Sequence, residues 1–249
     1  MVRDFKDYFS ARTADYAAFR PTYPETLLEW LAAATPRHDV ALDCGCGTGQ
    51  LSTRLARYFR RVVATDASAE QLRDAKRHEH VEYRQARAEA TGLPDASVDI
   101  VTVAQAAHWL DLPEFYDEVR RVVRPGGLIS LITYDTVEAS HPVRPLLAQF
   151  YSEVIGPYWP AERKHVETGY RLLAFPFDEI ATPAMTMRSS WTFKELIGYI
   201  DTWSAIRNCE AIRGRQPIEL FFTELEQLWG DMDIRREFSW KLSMRVGRV

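Results

Sequence analysis

Seven residues, Asp43-Cys44-Gly45-Cys46-Gly47-Thr48-Gly49, set an acid and three alternate glycines directly behind the short apolar run Val40-Ala41-Leu42. Glycine leaves the backbone bare, so a ligand can approach such a turn with no Cβ in its way, and a helix opening behind it offers unpaired N–H groups. A second apolar run, Val62-Val63-Ala64, ends at Asp66. An acid about 20 residues beyond a glycine turn is placed to accept hydrogen bonds from both hydroxyls of a ribose, so the two features together describe a nucleoside site. The spacing also separates ligand classes. A dinucleotide rests its pyrophosphate on a G-x-G-x-x-G turn. Here the turn reads G-x-G-x-G, and an acid stands two residues before its first glycine. A carboxylate there repels a pyrophosphate but suits a ligand carrying an ammonium and a sulfonium.

Further chemistry sits in Gln105-Ala106-Ala107-His108-Trp109, behind the β-branched run Ile100-Val101-Thr102-Val103. His108 is the candidate general base, or else a histidine that only hydrogen-bonds at the end of a strand. Gln105 and Trp109 share that loop and are candidates for lining a pocket, with core packing the other reading for Trp109. Ahead of the first strand, Phe5, Tyr8, Tyr16 and Phe19 recur near helical spacing. They make either an amphipathic helix packed on the sheet or a lid whose aromatic faces, Tyr16 among them, meet a bound cation. Arg20 is the cation expected to hold a carboxylate through its fork, the alternative being a plain surface role. Cys44, Cys46 and Cys209 form no tetrahedral set, so no metal is expected.

The elements that must position these groups alternate. Leu51, Leu55 and Phe59 fall at helical spacing after the glycine turn, and Ser68 with Gln71 can open a helix reaching about Arg77. Val81-Glu82-Tyr83 reads as a weaker third strand and Ile100 to Val103 as a buried fourth. Asp111-Leu112-Pro113-Glu114 caps the next helix, which Pro125-Gly126-Gly127 stops before a fifth strand over Leu128 to Ile132. At the end of the chain Phe238, Trp240, Leu242, Met244 and Val246 alternate with polar residues and are expected to pair antiparallel with Met185 to Trp191. Thr192 with Glu195 opens one helix between those strands, and Ile218, Phe221, Leu225 and Leu228 mark another, an αα excursion. The pattern predicts an α/β fold, a doubly wound, mostly parallel seven-stranded sheet. One domain spans 1–249: a helical lid over 1–35, a ligand-binding core over 36–135, a helical insertion covering the pocket over 140–183, and strands and helices completing the sheet over 184–249.

With 249 residues, 46% apolar and 27% charged, the chain can bury a full core and is too apolar to be disordered. Lys and Arg number 31 against 35 Asp and Glu, a net charge of -4, which lacks the basic footprint of a nucleic-acid binder. No apolar run approaches the roughly 18 to 20 residues that span a bilayer, so the expected location is cytoplasmic, with reduced thiols and no membrane partner.

These motifs resemble those of the class I S-adenosylmethionine-dependent methyltransferases. The resemblance implies that the cofactor is S-adenosylmethionine, leaving as S-adenosylhomocysteine. Asp43, Gly45, Cys46, Gly47 and Gly49 would hold its methionine part, with Gln105 beside them. Asp66 and Ala67 would hold the ribose end, and Arg87 and Ala88 would flank adenine, although the family commonly has Asp where Arg87 stands. Arg124-Pro125-Gly126-Gly127 is similar to the family's turn before its fifth strand. Ala104 to Trp109, Ala88 to Pro94 and Arg20-Pro21-Thr22-Tyr23-Pro24 resemble the branch containing trans-aconitate methyltransferases. That likeness implies a small-molecule acceptor, often a carboxylate, met by Arg20, Tyr16 and Trp109, in an enzyme acting as a monomer or homodimer. Two competing readings remain open at this point: an NAD-dependent oxidoreductase and a catalytically silent cofactor-binding module.

Overall fold

A computed structural model describes residues 19–139 and 142–249, so Phe5, Tyr8 and Tyr16, the expected lid as far as residue 18, and Ser140 lie outside the described residues. The first described helix, α1 (Glu25–Ala34), turns Leu27, Leu28 and Leu31 inward. β1 (Val40–Cys44), α2 (Ser52–Leu55), β2 (Arg61–Asp66), α3 (Ala69–Arg73), β3 (Val81–Gln85) and β4 (Val98–Ala104) follow in the expected alternation. Ser68 caps α3 by accepting the Gln71 N–H at 3.3 Å. That helix ends at Arg73, short of Arg77, because residues 74–80 bring no apolar face and the Lys76 N–H instead reaches the Thr48 carbonyl at 3.1 Å. Asp111 caps α4 (Leu112–Val122), which stops before the proline-glycine turn. β5 (Val123–Tyr134) takes in that whole turn. Gly127 is needed there, since a Cβ would stand 2.7 Å from the Asp99 carbonyl.

β6 (Glu138–Ala139), α5 (Val143–Gln149), α6 (Arg163–Glu167) and β7 (Asp178–Ile180) make up the irregular stretch before β8 (Met185–Trp191). The αα excursion contains three helices, α7 (Phe193–Asp201), α8 (Ser204–Arg213) and α9 (Gln216–Trp229), ahead of β9 (Arg236–Arg248). Thr192 and Glu195 close both arms of the capping box at α7. On α9 the buried row runs Ile218, Phe221, Leu225 and Trp229, and Leu228 points outward at 39% exposure.

The sheet has nine strands where seven were expected. β1 to β5 are parallel in the order β3-β2-β1-β4-β5, and β9 runs antiparallel beside β5. Val246 faces Ser130 on one side and Ile180 on the other, while Ser239 faces Glu138 and Arg188. β5 with β6, and β7 with β8, therefore occupy one position each across the sheet, and nine strands fill seven positions. The split between β7 and β8 falls at Pro183, which cannot donate to a ladder. Side chains alternate into two cores: Ala41, Ile100, Leu128 and Ile132 on one face, Leu42, Val101, Ile129 and Leu131 on the other. Both faces are covered, as in a doubly wound fold.

β1 pairs with β2 on one edge and β4 on the other, so the strand order reverses there and the crevice beyond their carboxyl ends is where such sheets bind ligands. The glycine turn lies at this point. At Gly49 (φ +81°) a Cβ would collide with the Tyr83 hydroxyl, whereas at Gly92 (φ +69°) nothing lies within 4 Å. Gly92→Ala is expected to cost only the left-handed backbone penalty, about 1 kcal/mol, and Gly49→Ala that penalty plus displacement of the tyrosine, about 3 kcal/mol. Denaturant midpoints of the two variants check this, and equal losses would contradict the packing role given to Tyr83.

Candidate functional site

Asp43 ends β1 with its side chain only 1% exposed. Its carboxylate accepts the Ser52 hydroxyl at 2.6 Å and the Thr102 hydroxyl at 2.9 Å, so one residue ties β1 to α2 and β4. Burial pushes the carboxyl up to about 6, against the pull of those two hydroxyls, and nearby Asp66 pushes it further the same way. An acid enclosed in this way fixes the turn.

Gly45, Gly47 and Gly49 have φ of +64°, +55° and +81°. At two of the three the chain's own packing also requires the missing side chain. A Cβ on Gly45 would come within 2.7 Å of the Ala106 Cβ, and one on Gly49 would strike Tyr83, whose hydroxyl donates to the Lys76 carbonyl at 2.7 Å. The chain's own packing thus demands both. Gly47 is different: its N–H donates to Asp66 Oδ2 at 2.8 Å, while Asp66 Oδ1 accepts the Ser68 N–H at 2.9 Å. Asp66 therefore joins the end of β2 to the glycine turn. Cys46 donates its N–H to the Thr65 carbonyl at 3.0 Å, and burial, followed by Asp43 and Asp66, pushes its thiol well above the ordinary range, which makes it neither a nucleophile nor a ligand at neutral pH.

Beside Asp66, the Ala67 carbonyl accepts from Gln85 at 3.1 Å and the Ala86 N–H donates to the Asp66 carbonyl at 3.1 Å. Ala88 is buried. Arg87 lies 3.3 Å from Glu89, whose other oxygen accepts the Asp111 N–H at 3.0 Å. Arg87, expected to flank adenine, is thus a guanidinium paired within its own loop.

The loop after β4 is built around Gln105, which adopts φ +57° without being glycine. Three bonds hold it to β5: its N–H to the Ile132 carbonyl at 2.8 Å, Nε2 to the Tyr134 carbonyl at 3.1 Å, and the Thr133 hydroxyl to Oε1 at 2.9 Å. Such a conformation persists only when its surroundings over-determine it. Gln105, His108 and Trp109 line a cavity of about 60 Å³, closed on its other sides by Arg20, by Tyr134 and Asp135 after β5, by Tyr151, Trp159 and Arg163 from residues 143–173, and by Tyr199 and Trp203.

Arg20 donates to the Tyr134 hydroxyl at 3.1 Å and the Thr202 carbonyl at 3.3 Å, and its guanidinium sits 5.4 Å from the Tyr199 ring centre. His108, the expected base, is tied to a partner of its own. Its Nδ1 lies 2.9 Å from the buried Tyr170 hydroxyl, and burial first, then Arg163 and His165, pushes the imidazole down to about 3. The cavity as it stands therefore favours the neutral imidazole. Trp109 packs with its ring centre 4.7 Å from that of His108, on the same wall. Tyr170, Arg163, Tyr199 and Trp203 were not singled out by sequence reasoning. Only Gly169 gave a local sign, a glycine at φ +60° ending α6 and turning Tyr170 inward.

Among the described residues no helix is long and apolar enough to cross a membrane, and no group of three or more His, Cys, Asp or Glu could hold a metal.

Residues 42–131 match the family described as a methyltransferase domain. A Dictyostelium discoideum protein named as a candidate methyltransferase is 35% identical over 204 residues, 80% of this chain and 78% of that protein. The solved structure of a candidate type II methyltransferase from Anaeromyxobacter dehalogenans superposes with a TM-score of 0.87 at 42% identity, over 93% of this chain and 98% of that one. A malonyl-[acyl-carrier protein] O-methyltransferase of Pectobacterium atrosepticum is 40% identical over 110 residues, 42% of this chain and 43% of that protein. The oxidoreductase alternative finds no support in these likenesses. With likeness over four fifths of its length and a sheet whose order reverses at the glycine turn, the chain belongs to the class I S-adenosylmethionine-dependent methyltransferases.

Proposed function

We propose that the chain methylates a small-molecule acceptor at a carboxylate, by in-line displacement, in a site that joins the Asp66 crevice to the cavity behind Gln105. When bound, S-adenosylmethionine supplies an electrophilic methyl group on a sulfonium. Asp66 fits the sugar of that cofactor: it ends β2 beside the glycine turn, where its carboxylate accepts the Gly47 and Ser68 N–H groups. The glycine turn of Gly45 to Gly49, with Cys46, and Gln105 bound the methionine end, and Ala67, Arg87 and Ala88 the base. Arg20 and Trp109 face the acceptor, and Tyr16 is assigned to the same side from sequence alone.

One observation carries the choice of a carboxylate: two guanidinium groups, Arg20 and Arg163, line the pocket, while its histidine is already bonded to the Tyr170 hydroxyl. A phenol or amine needs a base to remove its proton, whereas a carboxylate is ionised at pH 7 and needs none. Asp135 also lines the cavity, with Oδ1 accepting the Thr136 N–H at 2.7 Å. The likeness of Ala104 to Trp109 to the trans-aconitate methyltransferase branch supports the same chemistry. The O-methyltransferase relative does so too, since the ionised oxygen of a malonyl thioester is a carboxylate. His108 then serves to hold Tyr170 against the loop.

Two measurements check this reading. S-adenosylhomocysteine should raise the melting temperature and NAD should not, and Asp66→Ala should weaken S-adenosylhomocysteine binding about 30-fold, the loss of about 2 kcal/mol of hydrogen bonds to a charged acceptor. Unchanged calorimetric affinity would remove the role given to Asp66. The histidine is tested by stability against pH. Between pH 6.5 and about 3 the unfolded chain binds a proton at His108 that the folded chain does not, so the histidine subtracts stability as the pH falls through that window. The stability gap between the wild-type chain and His108→Gln is expected to widen in favour of wild type as the pH rises from 4 to 6.5, and to be flat above. A constant gap, or a rate profile rising near pH 6.5 and abolished in the variant, would restore the base.

A further inference from the structure

Arg163 stands on the wall of the cavity opposite the sheet, as the first residue of α6. Its guanidinium lies 4.6 Å from the Trp159 ring centre and 5.6 Å from that of Tyr151, so two flat side chains fix its plane. Nε donates to the Tyr151 hydroxyl at 2.9 Å and Nη2 to the Thr136 hydroxyl at 3.3 Å. The acid nearest to it, Glu167, is 3.7 Å from Nε, and the Tyr151 hydroxyl donates to that carboxylate at 2.6 Å. Both the tyrosine and the acid therefore occupy the Nε side. Among the described residues Nη1 has no hydrogen-bond partner, which leaves the Nη1/Nη2 end able to receive an anion.

Arg20 differs, because its Nη1 and Nη2 already donate to Tyr134 and Thr202. A second donor accompanies Arg163: the indole N–H of Trp159, another residue of the cavity wall, is buried without a partner among the described residues. A buried donor left unmatched costs about 1–3 kcal/mol, and an oxygen anion in the cavity would satisfy it together with Nη1. Burial favours the neutral form of His108 and of His165, and the other acid on the cavity wall, Asp135, accepts the Thr136 N–H.

We propose that Arg163 is the specificity-determining residue of the acceptor site: it pairs end-on with the carboxylate of the acceptor, with Trp159 supplying a further N–H and, with Tyr151, flat walls for the body of the acid. The inference rests on the reading of the acceptor as a carboxylate and adds the residue that selects it. Arg163 acts from residues 143–173 and not from the sheet, so it recognises the acceptor independently of the groups around Asp66.

The test is calorimetric binding, at saturating S-adenosylhomocysteine, of a panel of small aliphatic and aromatic mono- and dicarboxylates, each beside its amide, to the wild-type chain and to Arg163→Gln and Arg163→Lys. Wild type is expected to prefer acids to their amides by at least about tenfold, a preference lost in Arg163→Gln and partly kept in Arg163→Lys, with S-adenosylhomocysteine affinity the same in all three. Equal acid binding by wild type and Arg163→Gln overturns the role of Arg163 and leaves the carboxylate reading standing. A wild-type chain that binds S-adenosylhomocysteine but none of the acids overturns the carboxylate reading and this inference with it. Loss of S-adenosylhomocysteine binding in Arg163→Gln also overturns the proposal, since the residue then acts on the whole fold.

Discussion

The buried carboxylate of Asp43 is the constraint on which the rest of the site depends. A desolvated acid is costly, and this one is tolerable because two hydroxyls, Ser52 from α2 and Thr102 from β4, reach it from opposite sides. Those bonds lock the end of β1 to the helix behind it and to the strand across the switch point. Once β1 is fixed there, the chain must reverse within a few residues, and the left-handed glycines do this with the Gly47 N–H directed at Asp66. Neither acid is an isolated ligand-binding group: each is a joint between backbone segments that also stands where a nucleoside sits in this fold.

From the turn, contact passes to the acceptor side through backbone. Gly45 abuts Ala106, the next residue after Gln105; Gln105 is bonded three times to β5; and Tyr134 at the end of β5 receives Arg20. In-line transfer requires nucleophile, methyl carbon and sulfur to be collinear, and misplacement by about 1 Å can cost a hundredfold in rate. A relay made of strand ends and a strained loop holds that alignment more stiffly than side-chain rotamers would, which accounts for a left-handed glutamine where a glycine would be the cheaper residue.

Much of this was legible in the sequence, for local reasons. Strands announced themselves as β-branched runs, and the caps at Ser68, Asp111 and Thr192 are contacts of three residues' reach. The pairing of β8 with β9 followed from period-two alternation in both. What escaped were contacts of long sequence separation. Nothing near His108 says that a tyrosine 62 residues away will lie against it. Nothing near Gly49 marks Tyr83 as its neighbour, so the packing need for that glycine was not visible. Arg163 is one among 31 basic residues until the fold stacks it on Trp159. The end of α3 also escaped, because the Lys76 N–H turns to the Thr48 carbonyl where a helix reaching Arg77 was expected.

Two permanent cations on the cavity wall, Arg20 and Arg163, have a consequence for turnover under the proposed reaction. Transfer of a methyl from a sulfonium to a carboxylate removes both charges, giving an ester and a thioether. Guanidinium groups that hold the acid therefore stabilise the substrate more than the transition state, in which the negative charge is already partly discharged, and such uniform or ground-state binding does not raise kcat. The same groups bind the neutral ester weakly, so the product leaves a site from which the acid was slow to dissociate. A neutral His108 fits this scheme better than a charged one: a further cation would deepen the hold on the acid and slow the chemical step, while a hydrogen-bonded imidazole keeps Tyr170 in place without adding charge.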